Sequence, residues 1–183
     1  MGCACSCPPP CACSGAPVPE PEIPQLPVDL YDPRTLYEDK DFPATSASLY
    51  TSSEKREEIG KLNISWKRPK EISENPHLLV DGISGGDVKQ GSLGDCWFLA
   101  GCASIAFDKK LMGMVIRNNV DLASDEYDGM LTITFWWYGK WRTVTIDDRL
   151  PYLEMGDEKR LLFARCVQPD EFWLPIVEKA YAK

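Results

Sequence analysis

Apolar positions divide the chain into stretches of different period. The run Trp97, Phe98, Leu99, Ala100, Cys102, Ala103, Ile105, Ala106 is apolar nearly all round, which predicts a buried helix opening at Cys96. Asp108 to Asn118 is more amphipathic and predicts a second helix. Met130 to Tyr138 and Trp141 to Ile146 alternate with period two, are rich in Thr, Val, Ile and aromatics, and flank Gly139-Lys140; they predict a β-hairpin. Trp136, Trp137 and Trp141 are read as core and sheet packing. In Glu171 to Lys183, Phe172, Ile176, Val177 and Ala180 recur at helical spacing, with Pro175 tolerated in the first turn. Leu30 to Lys70 carries Tyr31, Tyr37, Phe42, Tyr50 and Trp66 without sustained period, which reads as an extended wrap with a short helix over Ser53 to Lys61. No internal repeat is visible. The pattern is that of an α+β domain.

Composition refines this picture. The 183 residues hold 20 Lys+Arg against 28 Asp+Glu, a net charge of −8, and are 44% apolar. A surplus of carboxylates repels a polyanion, so nucleic acid is not an expected partner. No run of about 18 apolar residues exists to span a bilayer. The first 27 residues contain Cys3, Cys5, Cys7, Cys11 and Cys13 and eight of the 15 Pro. Such a segment has too little apolar surface to offset the entropy of ordering it, so residues 1–29 are expected to be a disordered leader and 30–183 the folded domain. Met1-Gly2-Cys3-Ala4-Cys5-Ser6 fits N-myristoylation of Gly2, with Cys3 and Cys5 as thiols for palmitoylation. One myristoyl chain binds membranes only marginally, and the first basic residue is Arg34, so the second anchor would be another acyl chain. A thiolate metal cluster, a disulfide staple and an inert tail are the alternatives. Dual acylation places the chain in the cytoplasm, at the inner face of the plasma membrane.

The most informative segment is Lys89 to Ala100, KQGSLGDCWFLA. A Gly-bearing loop delivers Cys96 to the start of a helix, and Ser92 with Asp95 has the form of a capping box that puts Cys96 in the first turn. There the unpaired N–H groups and positive dipole end favour thiolate, the species that attacks a carbonyl. The Cys96 N–H and the Gln90 carboxamide could converge on one oxyanion. The competing reading is a small buried apolar Cys, and it is the one adopted for Cys102 and Cys166, which no Gly loop precedes.

On these residues the sequence resembles the calpains, the papain-like family of calcium-dependent cysteine endopeptidases. The likeness rests on QGSLGDCWFLA at Gln90 to Ala100, SWKRPKEI at Ser65 to Ile72, FWWYGKW and TIDDRLP between Phe135 and Pro151, LLF at Leu161 to Phe163, and the closing EFWLPIVEKAYAK. In order, these run from about Asp32 to Lys183. The resemblance implies the first subdomain of a papain-like protease core, helices packed with a small antiparallel sheet at the Met130 to Ile146 hairpin. It implies Cys96 as nucleophile and Gln90 as oxyanion-hole amide. It also implies a calcium ion held by the carbonyls of Val80 and Gly82 and the carboxylates of Asp87 and Glu171, and protein substrates. Read without the resemblance, DGISGGD is an ordinary turn with a solvated Asp. The loop Ser84-Gly85-Gly86 departs from the family pattern in carrying no basic residue.

Papain-like catalysis needs a His, oriented by an Asn, about 130 to 150 residues beyond the Cys. The single His, His77, precedes Cys96, in Asn75-Pro76-His77, and reads as a surface turn without a catalytic role. Two functions follow. One is the nucleophile half of a membrane-tethered endopeptidase, with negligible turnover from these residues alone. The other is a non-catalytic, membrane-held binding or scaffold protein that uses the same fold.

Overall fold

The computed structural model describes residues 35–49, 60–80, 88–156 and 158–183. The leader with Gly2, Cys3 and Cys5, residues 53–59 of the expected short helix, and the calcium candidates Gly82 and Asp87 lie outside the described residues. Among the described residues, a 3-10 turn at Ser46–Ser48 precedes β1 (Ile64–Lys67), α1 (Pro69–Ile72), β2 (Val88–Lys89), α2 (Cys96–Ala106) and α3 (Lys109–Val115). Then come β3 (Met130–Trp137), β4 (Lys140–Asp147), β5 (Leu150–Met155), β6 (Glu158–Leu161), β7 (Arg165–Cys166) and α4 (Trp173–Ala182). The mixed α+β class is as expected. No described helix is long and apolar enough to cross a membrane.

The hairpin forms in register, with Leu131 opposite Ile146, Ile133 opposite Val144 and Trp136 opposite Trp141. Its two-residue turn is Tyr138-Gly139, one position earlier than expected. Both residues have positive φ, 46° and 77°, as the primed turn that matches strand twist requires. The inward positions Leu131, Ile133 and Ile146 are buried against α2, α3 and α4. Trp136 and Trp137, expected in the packing, are 48% and 50% exposed; they extend past the end of the core, where only Trp141 stands edge-on to Trp136 at 5.4 Å.

The antiparallel structure is not confined to the hairpin. Within the supposed wrap, Ile64 and Trp66 alternate with Ser65 and Lys67 to make β1, which pairs with β5, and β5 pairs with β6. Ile64 and Trp66 pack on a second small core of Leu49, Leu153 and Leu162. A third ladder, β2 with β7, pairs Val88 with Cys166 and Lys89 with Arg165, and so anchors the loop that follows Lys89.

α4 is enclosed along nearly its whole length: every residue from Trp173 to Ala180 is buried, Glu178 and Lys179 included. Lys179 Nζ pairs with Asp147 Oδ1 and donates to the carbonyls of Asp147 and Arg149 at 2.9 and 2.7 Å. Asp147 also accepts the Asp39 N–H at 2.9 Å and Arg149 Nη2 at 2.6 Å. Lys183 reaches Asp39 Oδ2 at 2.8 Å. A buried charge is tolerable when paired and hydrogen-bonded in this way. The network ties the last helix to β4 and to the segment around Asp39.

Candidate active site

α2 begins at Cys96. The Asp95 carbonyl accepts the N–H groups of Phe98 and Leu99 at 2.8 and 3.1 Å, which makes Asp95 the N-cap and Cys96 the first helical residue. The Asp95 side chain makes no cap bond, so the expected capping box from Ser92 does not form. The reason is position: the N-cap is Asp95, three residues beyond Ser92, and the helix opens at Cys96. The helix is also less enclosed than its composition suggests. Leu99, Cys102 and Ala106 face the core, whereas Cys96, Ala100, Gly101 and Ser104 are exposed and Trp97 is 63% exposed. Among the described cysteines, Cys96 is exposed while Cys102 and Cys166 are buried. Burial pushes the Cys102 thiol up to about 12, with the nearby Glu178 and Asp95 adding to it. Cys102 is therefore a packing residue.

Gln90 is exposed and follows directly on β2. One Nε2 hydrogen is donated to the Leu93 carbonyl at 2.7 Å; an amide nitrogen carries two, so the second is left for another acceptor. Behind it the loop is pressed onto the segment leaving β6. The Ser92 N–H donates to Leu162 O at 3.2 Å, and a Cβ built on Gly91 would overlap the Phe163 carbonyl group. Only glycine permits that approach. Next along the same segment, the Ala164 N–H is accepted by Glu178 Oε2 and Oε1 at 3.0 and 3.3 Å.

Residues 37–183 match the family described as calpain family cysteine protease. The chain belongs to the calpain family. It is 45% identical to Calpain clp-4 of Caenorhabditis elegans over 150 residues, 82% of this chain and 20% of that protein. It is 44% identical to Calpain-10 of Rattus norvegicus over 151 residues, 82% of this chain and 22% of that one. To Calpain of Schistosoma mansoni it is 42% identical over 150 residues, 82% of this chain and 19% of that one. The chain spans about a fifth of the length of these curated relatives.

Two of the four calcium candidates of this calpain chain are described, and they meet through the Val80 N–H rather than through the carbonyl that the resemblance implied. Glu171 is 4% exposed and its Oε1 accepts the Val80 N–H at 3.1 Å. The contact is built by a parallel bridge between His77 and Glu171, in which His77 N–H donates to Asp170 O at 2.7 Å and Phe172 N–H to His77 O at 2.9 Å. A buried carboxylate suits the hard-oxygen preference of calcium. Among the described residues no group of three His, Cys, Asp or Glu side chains converges on one point. His77 itself is half-buried in this bridge rather than on a free surface turn, with its Nε2 3.0 Å from Asn75 Nδ2.

Glu178 escaped the reading of the calpain sequence. Burial, hydrogen bonding to Asp95 and the Asp95 charge push its carboxyl up to about 8, against the Ala164 N–H that favours the anion. The signal was available: in LPIVEKAYA a Glu-Lys pair interrupts a run apolar on every side, which leaves the pair no solvent face.

Proposed function

We propose that this chain carries the nucleophile of a calcium-dependent, calpain-type endopeptidase that cuts proteins at limited sites. The observation that supports it best is the placement of Cys96: exposed, first in its helix, and separated from Gln90 by a loop clamped to the body of the fold. In this reading the Cys96 thiolate adds to a peptide carbonyl carbon, and the π electrons move to oxygen. The oxyanion is met by the Cys96 N–H and the free Nε2 hydrogen of Gln90. Collapse expels the amine, which takes a proton from an acid, and water then hydrolyses the thioester. His77 is engaged with Asn75 and the Glu171 bridge, so the acid comes from a papain-like His outside this sequence, and these residues alone turn over negligibly.

Calcium belongs to the same proposal. Glu171 and Val80, with Gly82 and Asp87, would hold it, and it would supply a fixed positive charge near the start of α4. Acylation at Gly2 and at Cys3 or Cys5 would hold the chain at the inner face of the plasma membrane. The test is hydrolysis of a fluorogenic peptide by the 183-residue chain in calcium: background turnover is expected, and clear turnover lost in Cys96→Ala would overturn the half-site reading.

A second reading, a non-catalytic calpain-like binding module, is favoured by the apolar hollow of about 190 Å³ beside α2, lined by Trp97, Phe98, Ile105 and Phe135. It has no use for a carboxamide at Gln90 in the loop that leads to an exposed Cys96.

A further inference from the structure

Glu178 sits where three parts of the site meet. It is 7% exposed on α4. Its two carboxyl oxygens take the Ala164 N–H, and Asp95, the residue before Cys96, lies within its hydrogen-bonding reach. Asp95 Oδ1 is sealed from solvent and has no partner of its own, so Glu178 is the group left to satisfy that side chain. The segment that Glu178 holds through Ala164 is also the one against which the Gln90 loop lies, by the Phe163 contact with Gly91 and the Leu162 bond to Ser92.

We propose that Glu178 is the positioning residue of the site: one carboxyl group clamps the helix mouth that carries Cys96 and the β6–β7 connection that supports the Gln90 loop, and so sets the two reacting groups relative to each other. Neither group touches Glu178. The inference rests on the protease reading for its purpose, but the clamp itself is a statement about geometry.

The clamp has a protonation state. A carboxyl that bonds another carboxylate must supply the proton, and here it keeps that proton up to about 8. Facing it are Asp95 from the loop before α2, Cys102 from α2 itself and the Ala164 amide; Lys179, next along α4, is turned onto Asp147. Among the described residues no cation acts on Glu178, so loss of its proton leaves a buried anion against the Asp95 side chain beneath Cys96. The clamp is closed below about pH 8 and weakened above it.

The test uses the whole 183-residue chain as wild type, Glu178→Gln and Glu178→Leu. Amide resonances are followed by NMR across this pH range, and the rate at which a peptidyl chloromethyl ketone modifies Cys96 is measured by peptide mapping. In the wild type the Ala164 and Ser92 amides should shift together with a midpoint near 8. Glu178→Gln, which can still donate to Asp95 and accept from Ala164, should lose that step and keep the Cys96 rate at pH 7 within about twofold. Glu178→Leu should slow modification by about tenfold or more, with the β3–β4 amides unmoved. No step in the wild type, or a step that survives in Glu178→Gln, overturns the proposal even if Glu178→Leu fails to fold. If Cys96 takes no peptidyl reagent in any variant while the Ala164 step appears and vanishes as described, the protease reading falls and the clamp stands.

Discussion

The carbonyl group of Phe163 occupies the space that a side chain on residue 91 would need. Two backbones therefore touch directly beneath the candidate site, and the Gln90 loop cannot relax away because Ser92 is bonded to Leu162. Gly91→Ala must push the loop off the β6–β7 segment. Overpacking costs about 1–3 kcal/mol in ordinary cores, and backbone yields less easily than side chain, so we expect a loss near the upper end of that range. Urea denaturation measures it, and an unchanged midpoint would show that the loop is not held there.

The Lys179 ammonium is the main counter-charge of a buried carboxylate. The side chains of Asp147 and Lys179 are 0% and 4% exposed. Burial raises the Asp147 carboxyl, but the Lys179 charge and the bonds from Arg149 and Lys179 outweigh it and hold the group below the usual carboxylate range. Lys179→Met leaves that anion under-compensated and should cost about 3–5 kcal/mol. Adding Asp147→Asn should recover part of the loss, and the coupling in the double-mutant cycle reads the pair directly. Strict additivity would contradict the account.

Above the ordinary carboxylate range stability should fall as pH rises toward about 8, whereas the lowered Asp147 carboxyl makes it fall toward strong acid. Burial pushes Asp148 up to about 6, against the pull of Arg68, and Glu178 up to about 8. For such groups the folded chain keeps a proton that the unfolded chain has already released, so the unfolded state gains on the folded one between the two pKa values. The stabilisation is whole below the ordinary carboxyl values of 3.8 and 4.5 and is gone above about 6 for Asp148 and about 8 for Glu178. Glu178→Gln should remove the decline between about 6 and about 8 and leave only the Asp148 share of the decline below 6. Thermal unfolding midpoints across the range decide; an identical profile in the variant would place the titration elsewhere.

Glu171→Gln separates calcium binding from the fold. A carboxamide oxygen can still accept the Val80 N–H, but the formal charge is lost. We expect unfolding in calcium-free buffer to change little, and calcium affinity by calorimetry to drop by about tenfold or more. Equal affinities would remove Glu171 from the ligand set.

Periodic segments were legible and pairings between distant segments were not. The hairpin announced itself because alternation in Leu131, Ile133, Val144 and Ile146 is a local pattern. β1 was missed because its four residues acquire a face only when Leu153 and Leu162 lie beneath Ile64 and Trp66. α2 was read as enclosed because a sequence gives the polarity of a helix but not which flank a neighbour covers. At the site, Cys96 and Gln90 stood out by residue type and spacing, whereas Glu171 entered only through the family resemblance. Glu178 was not legible, since its role depends on Ala164 and Asp95, both distant along the chain.

The central claim is that Cys96 is an accessible nucleophile whose adduct is met by the Gln90 amide. Modification of the chain by a peptidyl chloromethyl ketone, mapped peptide by peptide in wild type and Gln90→Ala, tests it most directly. We predict a single adduct within residues 88–183, on Cys96, that forms about 100-fold more slowly in Gln90→Ala, with Cys102 and Cys166 untouched. An adduct on Cys102 or Cys166 as fast as on Cys96, or a Cys96 rate indifferent to Gln90, would contradict the account.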